Sequence, residues 1–116
     1  MTIKRIEVGA RMSAAVVHGN TVYLAGQVAD KAAGGSVTDQ TTEVLNLIDG
    51  LLAKAGTDKT KLLSATIYLS DIATFAEMNA VWEAWVVAGQ TPARATLEAK
   101  LAHPKYTVEI VIIAAL

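Results

Sequence analysis

Two charged residues near the C-terminus, Arg94 and Glu109, are the strongest candidates for chemistry in this sequence. Glu109 is the only charge in the apolar segment Thr107–Ala115. A carboxylate in such surroundings is unfavourable unless it is paired, hydrogen-bonded or in contact with water. Taken alone, Glu109 fits a residue at the edge or start of a strand that reaches solvent. The arginine at the start of the preceding predicted strand makes a functional interpretation possible.

The two residues come together if the last two predicted strands, 93–101 and 106–115, form a hairpin. A turn near Ala102 would place Arg94 across from Glu109 or beside it, within range for cross-strand pairing. One interpretation is an ordinary ion pair on the sheet. The other is a site in which the guanidinium fork binds a substrate carboxylate while Glu109 orients or deprotonates water. The residues alone leave both open.

Composition argues against several other kinds of site. Cysteine is absent, which removes disulfides, thiolate nucleophiles and zinc–thiolate centres. The two histidines, His18 and His103, lie far apart and belong to no ligand-spaced cluster, so we expect no metal. Ten Lys and Arg residues against eleven Asp and Glu residues give a net charge of −1 without a basic run. That balance argues against nucleic acid as a partner.

The length of 116 residues predicts a single domain spanning residues 1–116. Hydrophobic residues make up 53% of the chain and charged residues only 18%. A chain this short buries a limited share of its surface, so we expect copies to associate. No apolar run reaches the ~18 residues that cross a membrane, and the N-terminus carries charges where a signal peptide is apolar. These features predict a cytoplasmic protein without a membrane partner.

Hydrophobic periodicity predicts the element order β-β-β-α-β-α-β-β. The expected strands are 3–8, 14–18, 21–28, 62–70, 93–101 and 106–115, and the expected helices are 38–55 and about 74–87. The Gly19-Asn20 pair predicts a hairpin turn, and 31–36 reads as a loop. Two right-handed β-α-β crossovers would place both helices on the same face of one mixed sheet.

Local signals predict where each helix begins and ends. Thr38 or Asp39 is the expected N-cap of the first helix, and Gly56 has the position of a C′ glycine. In the second helix Thr74 and Glu77 have the spacing of a capping box, and Gly89 is expected to end it. Its apolar stripe fits helix packing or a subunit contact better than ligand binding, and comprises Phe75, Met78, Val81, Trp82 and Trp85.

The last strand predicts a second covered face of the sheet. Its apolar residues occur at both parities, with Val108, Ile110 and Ile112 on one side and Val111, Ile113 and Ala115 on the other. An antiparallel strand with one solvated face should alternate polar and apolar residues. Because two helices cover one face only, we expect the other face to meet another copy. The prediction is an α+β homo-oligomer.

Four segments resemble the Rid family, also called the YjgF/YER057c/UK114 family. They are VYLAGQV at 22–28, FAEMNAVW at 75–82, PARATLE at 92–98 and VEI at 108–110. The resemblance covers nearly the whole chain in order. Its most specific mark is the Pro-Ala-Arg motif followed by a glutamate on the next strand.

This resemblance implies a chorismate-mutase-like trimer with the sheets in a central β-barrel and three clefts between subunits. Enzymes of the family hydrolyse enamines and imines released by pyridoxal-phosphate enzymes to ketoacids and ammonia, without metal or cofactor. By resemblance, Arg94 binds the substrate carboxylate and Glu109 holds and activates the water.

The resemblance also implies further substrate-binding positions. Backbone groups near Thr96 and Gly26 would help to position the water, while Ala95 and Asn79 would line the cleft. The family's deaminase branch has tyrosine where this chain has Met12, serine where it has Ala25, and cysteine where it has Thr96.

The departures keep a second function open. Met12 and Ala25 predict a more apolar cleft than that of the deaminase branch. They favour, as the alternative, a non-catalytic protein that binds a small carboxylate in the same cleft. A ribonuclease or translation-inhibitor role is attached to some family members, and the charge balance argues against it here.

Overall fold

The computed structural model describes residues 1–116 as one six-stranded mixed sheet with two helices. In chain order the elements are β1 (Ile3–Val8), β2 (Ser13–His18), β3 (Thr21–Leu24), α1 (Val37–Ala55), β4 (Leu62–Leu69), α2 (Phe75–Trp85), β5 (Ala93–Glu98) and β6 (Val108–Ala115). Short 3-10 turns at Lys59–Lys61 and Ile72–Thr74 precede β4 and α2. The predicted α+β class is confirmed.

Both helices contribute to a single core on one face of the sheet. The four inward residues of β6 are fully buried and alternate with half-buried ones. From α2 the core receives Met78, Trp82 and Trp85, as the stripe predicted. The Trp85 indole N–H donates to Asp49 Oδ2 at 3.0 Å, which ties α2 to α1. Neither α1 nor α2 combines the length and the hydrophobicity of a membrane-spanning segment.

The opposite face of the sheet has no helix over it. Tyr23 and Leu97 point to this side and expose 46% and 41% of their surface. The outward residues of β6, Val111 and Ile113, are only half-buried. The apolar character that the sequence predicts for this face is therefore present, and in the single chain nothing covers it. We call it the open face.

The sheet order is β1-β2-β3-β6-β4-β5, so the last two strands are not neighbours. β5 pairs in parallel with β4, with Arg94 beside Ala65, and β6 pairs antiparallel with the other edge of β4, with Glu109 opposite Tyr68. The predicted hairpin is therefore wrong. Because α2 connects β4 to β5 as a crossover, these strands run parallel and β5 takes the outer edge.

The N-terminus of α1 corrects two predicted caps. Ser36 is the N-cap, with an extended backbone and an Oγ that accepts the Asp39 N–H at 3.0 Å. Thr38 lies inside the helix, and its N–H and hydroxyl donate to Glu77 Oε2 at 2.9 and 3.0 Å. Glu77 is thus engaged with the other helix, and Thr74 makes no capping hydrogen bond. The predicted Thr74–Glu77 capping box is wrong because a tertiary contact competes for the carboxylate.

The remaining local predictions are mostly confirmed. His18 pairs with Thr21 across the two-residue Gly19-Asn20 turn. Gly56 ends α1 in the left-handed conformation, with φ at 89°. The second helix is shorter than predicted, because the chain turns extended at Val86 (ψ 153°) before Gly89 is reached.

A buried glutamine holds the segment that leads into β6. Gln40 on α1 is fully buried, and its Nε2 donates to Lys105 O at 2.8 Å and to Gly35 O at 3.2 Å. Its Oε1 accepts the Thr107 N–H at 2.9 Å. In the same segment the Tyr106 hydroxyl donates to Asp30, and this bond raises the pKa of the tyrosine. Gln40 therefore fixes the chain just before the strand that carries Glu109.

We expect Gln40→Leu to lower the free energy of unfolding by about 2–4 kcal/mol, because it leaves the Thr107 N–H and the Gly35 carbonyl without a partner. Chemical denaturation followed by circular dichroism measures the change. Gln90→Leu is the matched control, since Gln90 is exposed and its side chain makes no hydrogen bond; it should change stability by less than ~0.5 kcal/mol. Equal losses in the two variants would contradict the proposed role of Gln40.

Candidate functional site

Arg94 lies near the start of the edge strand β5, on the face that carries the helices. Its Nη1 donates to Asn79 Oδ1 at 2.6 Å. The guanidinium carbon is 5.6 Å from the ring centres of both Phe75 and Trp82. No carboxylate pairs with it, since the one ion pair in the chain joins Lys54 to Glu7. The charge of Arg94 is therefore uncompensated within the chain, and most of its N–H groups are free.

Glu109 lies on β6 and points to the open face. It is half-buried, and its side chain makes no hydrogen bond or ion pair within the chain. The carboxylate lies directly against Gly26: a Cβ added to that glycine would stand 2.3 Å from Glu109 Oε2 and 3.0 Å from Cδ. Only glycine leaves room for this approach.

A backbone bridge keeps Gly26 beside the carboxylate. The Gln27 N–H donates to Ile110 O at 2.9 Å, and the Ile110 N–H donates to Gln27 O at 3.1 Å. Between this bridge and the Tyr23–Ile113 pair, the β3 side contains an additional residue. Such bulges change the direction of a strand or end its pairing, and they occur often near functional sites. The predicted strand 21–28 therefore ends early, at Leu24, for a local reason.

The structure of one chain does not bring Arg94 and Glu109 together. Their strands lie on either side of β4, about 9–10 Å apart by normal strand spacing. Their side chains also leave the sheet from opposite faces, since Arg94 shares the side of buried Ala65 and Glu109 shares that of Tyr68. Each chain thus presents two separate groups of candidate residues. We call them the arginine half-site (Arg94, Asn79, Phe75, Trp82) and the glutamate half-site (Glu109, Gly26, Tyr68).

Two other predicted residues lie next to Arg94 on β5. Thr96 is on the same side of the strand as Arg94, and its Oγ1 is buried without a hydrogen-bond partner in the chain. Ala95 points to the open face and is exposed. The arginine half-site therefore includes Thr96 as a neighbour, whereas Ala95 faces the other way.

The other two predicted residues, Ala25 and Met12, lie outside the strands. Ala25 directly precedes Gly26, is half-buried, and donates its N–H to Ala14 O at 2.9 Å. Met12 is in the loop between β1 and β2 and is 57% exposed. Neither side chain offers a polar group. A more apolar cleft lined by these two residues therefore stays a prediction.

Sequence reasoning missed the roles of Phe75, Trp82 and Tyr68. The apolar spacing of Phe75 and Trp82 predicts packing residues, yet both rings also contact the Arg94 guanidinium. Their spacing with Asn79, at i, i+4 and i+7, places all three on one helical face, and this signal was readable. Tyr68 becomes a neighbour of Glu109 only through the pairing of β4 with β6. No local pattern indicates that pairing.

The fold is an α+β domain with a mostly antiparallel sheet and two helices on one face. Its candidate site has an arginine near the start of an edge strand and a glutamate packed against a glycine. A family model described as endoribonuclease L-PSP matches residues 2–116. The chain belongs to this family, the YjgF or Rid family.

Relatives and solved structures agree with this assignment. A RutC family protein from Haemophilus influenzae is 49% identical over 98% of each chain. The RutC family protein YoaB from Escherichia coli is 48% identical over 99% of each. A crystal structure of a YjgF-family protein from Neisseria meningitidis superposes with a TM-score of 0.96 at 45% identity, covering 99% of this chain and 95% of the other. A Rid-family protein from Yersinia pestis, described as of unknown function, gives 0.90 at 27% identity over 99% and 100%.

Proposed function

We propose that this protein hydrolyses small carboxylate-bearing enamines and imines to ketoacids and ammonia in a cleft between two copies of the chain. Family membership supports a role with small metabolites. The observation that supports imine hydrolysis between copies is that each chain carries two half-sites of opposite charge. An unpaired arginine and an unpaired glutamate, each partly buried, are unfavourable features that a functional partner would explain.

Contact between the two different half-sites favours a cyclic assembly. An interface that joins one patch to a different patch repeats head to tail, and it closes into a ring when the rotation allows. The apolar open face gives such a ring an inner surface to bury. We therefore propose a homotrimer with the open faces inside and a complete site at each of its interfaces.

The chemistry requires little from the protein beyond placement and a base. In the imine form the carbon of the C=N bond is already electrophilic. Arg94 binds the carboxylate next to that carbon, and Glu109 takes a proton from the attacking water. The C–O bond forms, the nitrogen gains protons, and the C–N bond then breaks to release ammonia and leave a ketone. An enamine substrate first takes a proton on carbon to reach the same imine.

A second candidate is a non-catalytic protein that binds small carboxylates in this cleft. The apolar side chains of Met12 and Ala25 favour it, because they leave Glu109 with fewer polar neighbours to fix a water molecule. A ribonuclease role has less support, since acidic residues outnumber basic ones and the arginine half-site offers a single cation. The predictions of a cytoplasmic location and a small-molecule partner belong to both leading candidates.

The direct test generates 2-aminoacrylate or a longer-chain imine in situ and follows ketoacid and ammonia formation. We expect the wild-type protein to accelerate hydrolysis and Arg94→Ala to lose that acceleration. Lys100→Ala is a matched control, because Lys100 is an exposed cation that makes no ion pair. No acceleration across a panel of imines, together with ketoacid binding by calorimetry, would reject the enzyme and support the binding protein.

Mixing two inactive variants tests whether the site is shared between copies. Arg94→Ala and Glu109→Ala are each expected to be inactive alone. Co-assembled in equal amounts, they should recover about a quarter of wild-type activity, because that fraction of head-to-tail interfaces combines an intact arginine with an intact glutamate. Light scattering should report a trimer. A mixture that stays inactive, or a monomer at micromolar concentration, would contradict the shared site.

A further inference from the structure

We propose that α2 acts as a clamp that fixes the Arg94 guanidinium, with Asn79, Phe75 and Trp82 as positioning residues. Asn79 then acts on the arginine and not on the ligand, which differs from the role that family resemblance implies for it. The proposal rests on the proposed function only in taking a carboxylate as the ligand of Arg94.

The three residues are arranged along one line of the helix. Residues 75, 79 and 82 follow one another at steps of four and three, so their side chains share one face over two turns. The guanidinium carbon is equally far, 5.6 Å, from the Phe75 and Trp82 ring centres. Asn79, between them in sequence, makes the hydrogen bond of 2.6 Å. The guanidinium therefore lies alongside the helix with a contact from each turn.

The clamp leaves the arginine able to bind a carboxylate. A guanidinium has five N–H donors, and Asn79 occupies a position on Nη1. The edge formed by Nη2 and Nε makes no hydrogen bond within the chain, so it remains available for a two-pronged interaction with a carboxylate. An arginine held in this way loses less side-chain freedom when it binds its ligand.

The chemistry of the clamp also preserves the positive charge. An amide oxygen and two aromatic rings attract a cation without neutralising it. Aspartate at position 79 would form an ion pair with Arg94 and compete with the ligand carboxylate. Asparagine therefore orients the guanidinium as a carboxylate would, but without neutralising its charge.

The helix that carries the clamp is itself fixed. Trp85 bonds to Asp49, and Glu77 accepts two hydrogen bonds from Thr38, so both ends of α2 are tied to α1. Trp82 is 5% exposed, whereas Phe75 is 37% exposed. Phe75 can therefore be changed with little effect on the core.

The test compares binding of a ketoacid such as 2-ketobutyrate with binding of its methyl ester, which lacks the carboxylate charge. We expect Phe75→Leu to weaken ketoacid binding about 2–5-fold and Asn79→Ala about tenfold, with ester binding unchanged. Asn79→Asp should weaken ketoacid binding more than Asn79→Ala does. Phe75→Tyr, which keeps an aromatic ring, should bind the ketoacid as the wild-type protein does. Ile72→Ala is the matched control, because Ile72 is an exposed apolar residue in the turn just before α2. The Arg94 Nε–H resonance should broaden or move in the clamp variants, without any ligand.

Loss of ester and ketoacid binding in equal proportion would overturn the clamp, because it indicates general damage to the fold. Unchanged binding together with an unchanged Arg94 resonance in Phe75→Leu and Asn79→Ala would overturn it too. If the wild-type protein binds ketoacids without hydrolysing imines, the proposed enzyme fails. The clamp is still supported in that case when its variants lose the preference for the ketoacid.

Discussion

Replacing Glu109 with glutamine is expected to lower imine hydrolysis by about 10²–10⁴-fold, the usual contribution of a positioned general base. Glutamine keeps the size and hydrogen-bonding reach of the side chain but cannot accept a proton from water. Ketoacid binding should stay within a few-fold of wild type, because Arg94 carries the carboxylate interaction. Steady-state kinetics with imine generated in situ, alongside calorimetric binding of the ketoacid, separates the two effects.

A control for the loss of negative charge is available on α2. Glu83 is exposed and makes no hydrogen bond or ion pair, so Glu83→Gln removes one carboxylate that is bonded to neither Arg94 nor Glu109. It should leave turnover unchanged. Hydrolysis by Glu109→Gln at the wild-type rate would show that Glu109 is not the base.

Adding a single methyl group at Gly26 is expected to lower turnover about 100-fold, since a displacement of about 1 Å at a catalytic group has effects of this size. The new Cβ would stand 2.3 Å from Glu109 Oε2, so the carboxylate must move. The rest of the fold should remain, because the closest atoms are all at the end of one side chain. Gly26→Ala therefore tests the placement of the base while keeping its chemistry.

Gly50→Ala is the matched control for this substitution. Gly50 lies on the exposed side of α1, and a Cβ there meets no atom within 4 Å. The change should raise the free energy of unfolding by about 0.5–1 kcal/mol through helix propensity and leave activity intact. Full activity in Gly26→Ala would contradict the proposal that Glu109 acts from its observed position. A large loss of stability would instead point to a structural role for the glycine.

Assembly of copies would account for both the apolar open face and the two unpaired charges. A single copy leaves the open face with exposed Tyr23 and Leu97, and it leaves Arg94 and Glu109 without oppositely charged partners. Assembly that joins the half-sites would address both features at once, since apolar burial drives association and the charges fix its register. Variants that weaken assembly should therefore lose activity even where neither half-site is touched.

Local features of this protein were readable from its residues. Alternation and helical spacing identified all eight elements in order, because side-chain direction repeats with a period set by the backbone of each element. The two-residue hairpin at Gly19-Asn20 and the glycine that ends α1 follow from backbone conformations that few residues adopt. The prominence of Arg94 and Glu109 was visible for the same reason, as charges that interrupt predictable patterns.

Tertiary structure decided everything that depends on which elements meet. Glu77 accepts hydrogen bonds from Thr38 in the first turn of α1 and caps no residue of its own helix. Gln40 bonds to a segment far along the chain, because distant groups compete with local ones for each hydrogen bond. The order of strands determined the site itself. With β4 inserted between β5 and β6, Arg94 and Glu109 left opposite faces of the sheet. Strand order depends on how the crossover helices pack, which no local spacing encodes. The sequence could therefore single out Arg94 and Glu109 as candidates, but it could not predict their separation within one chain.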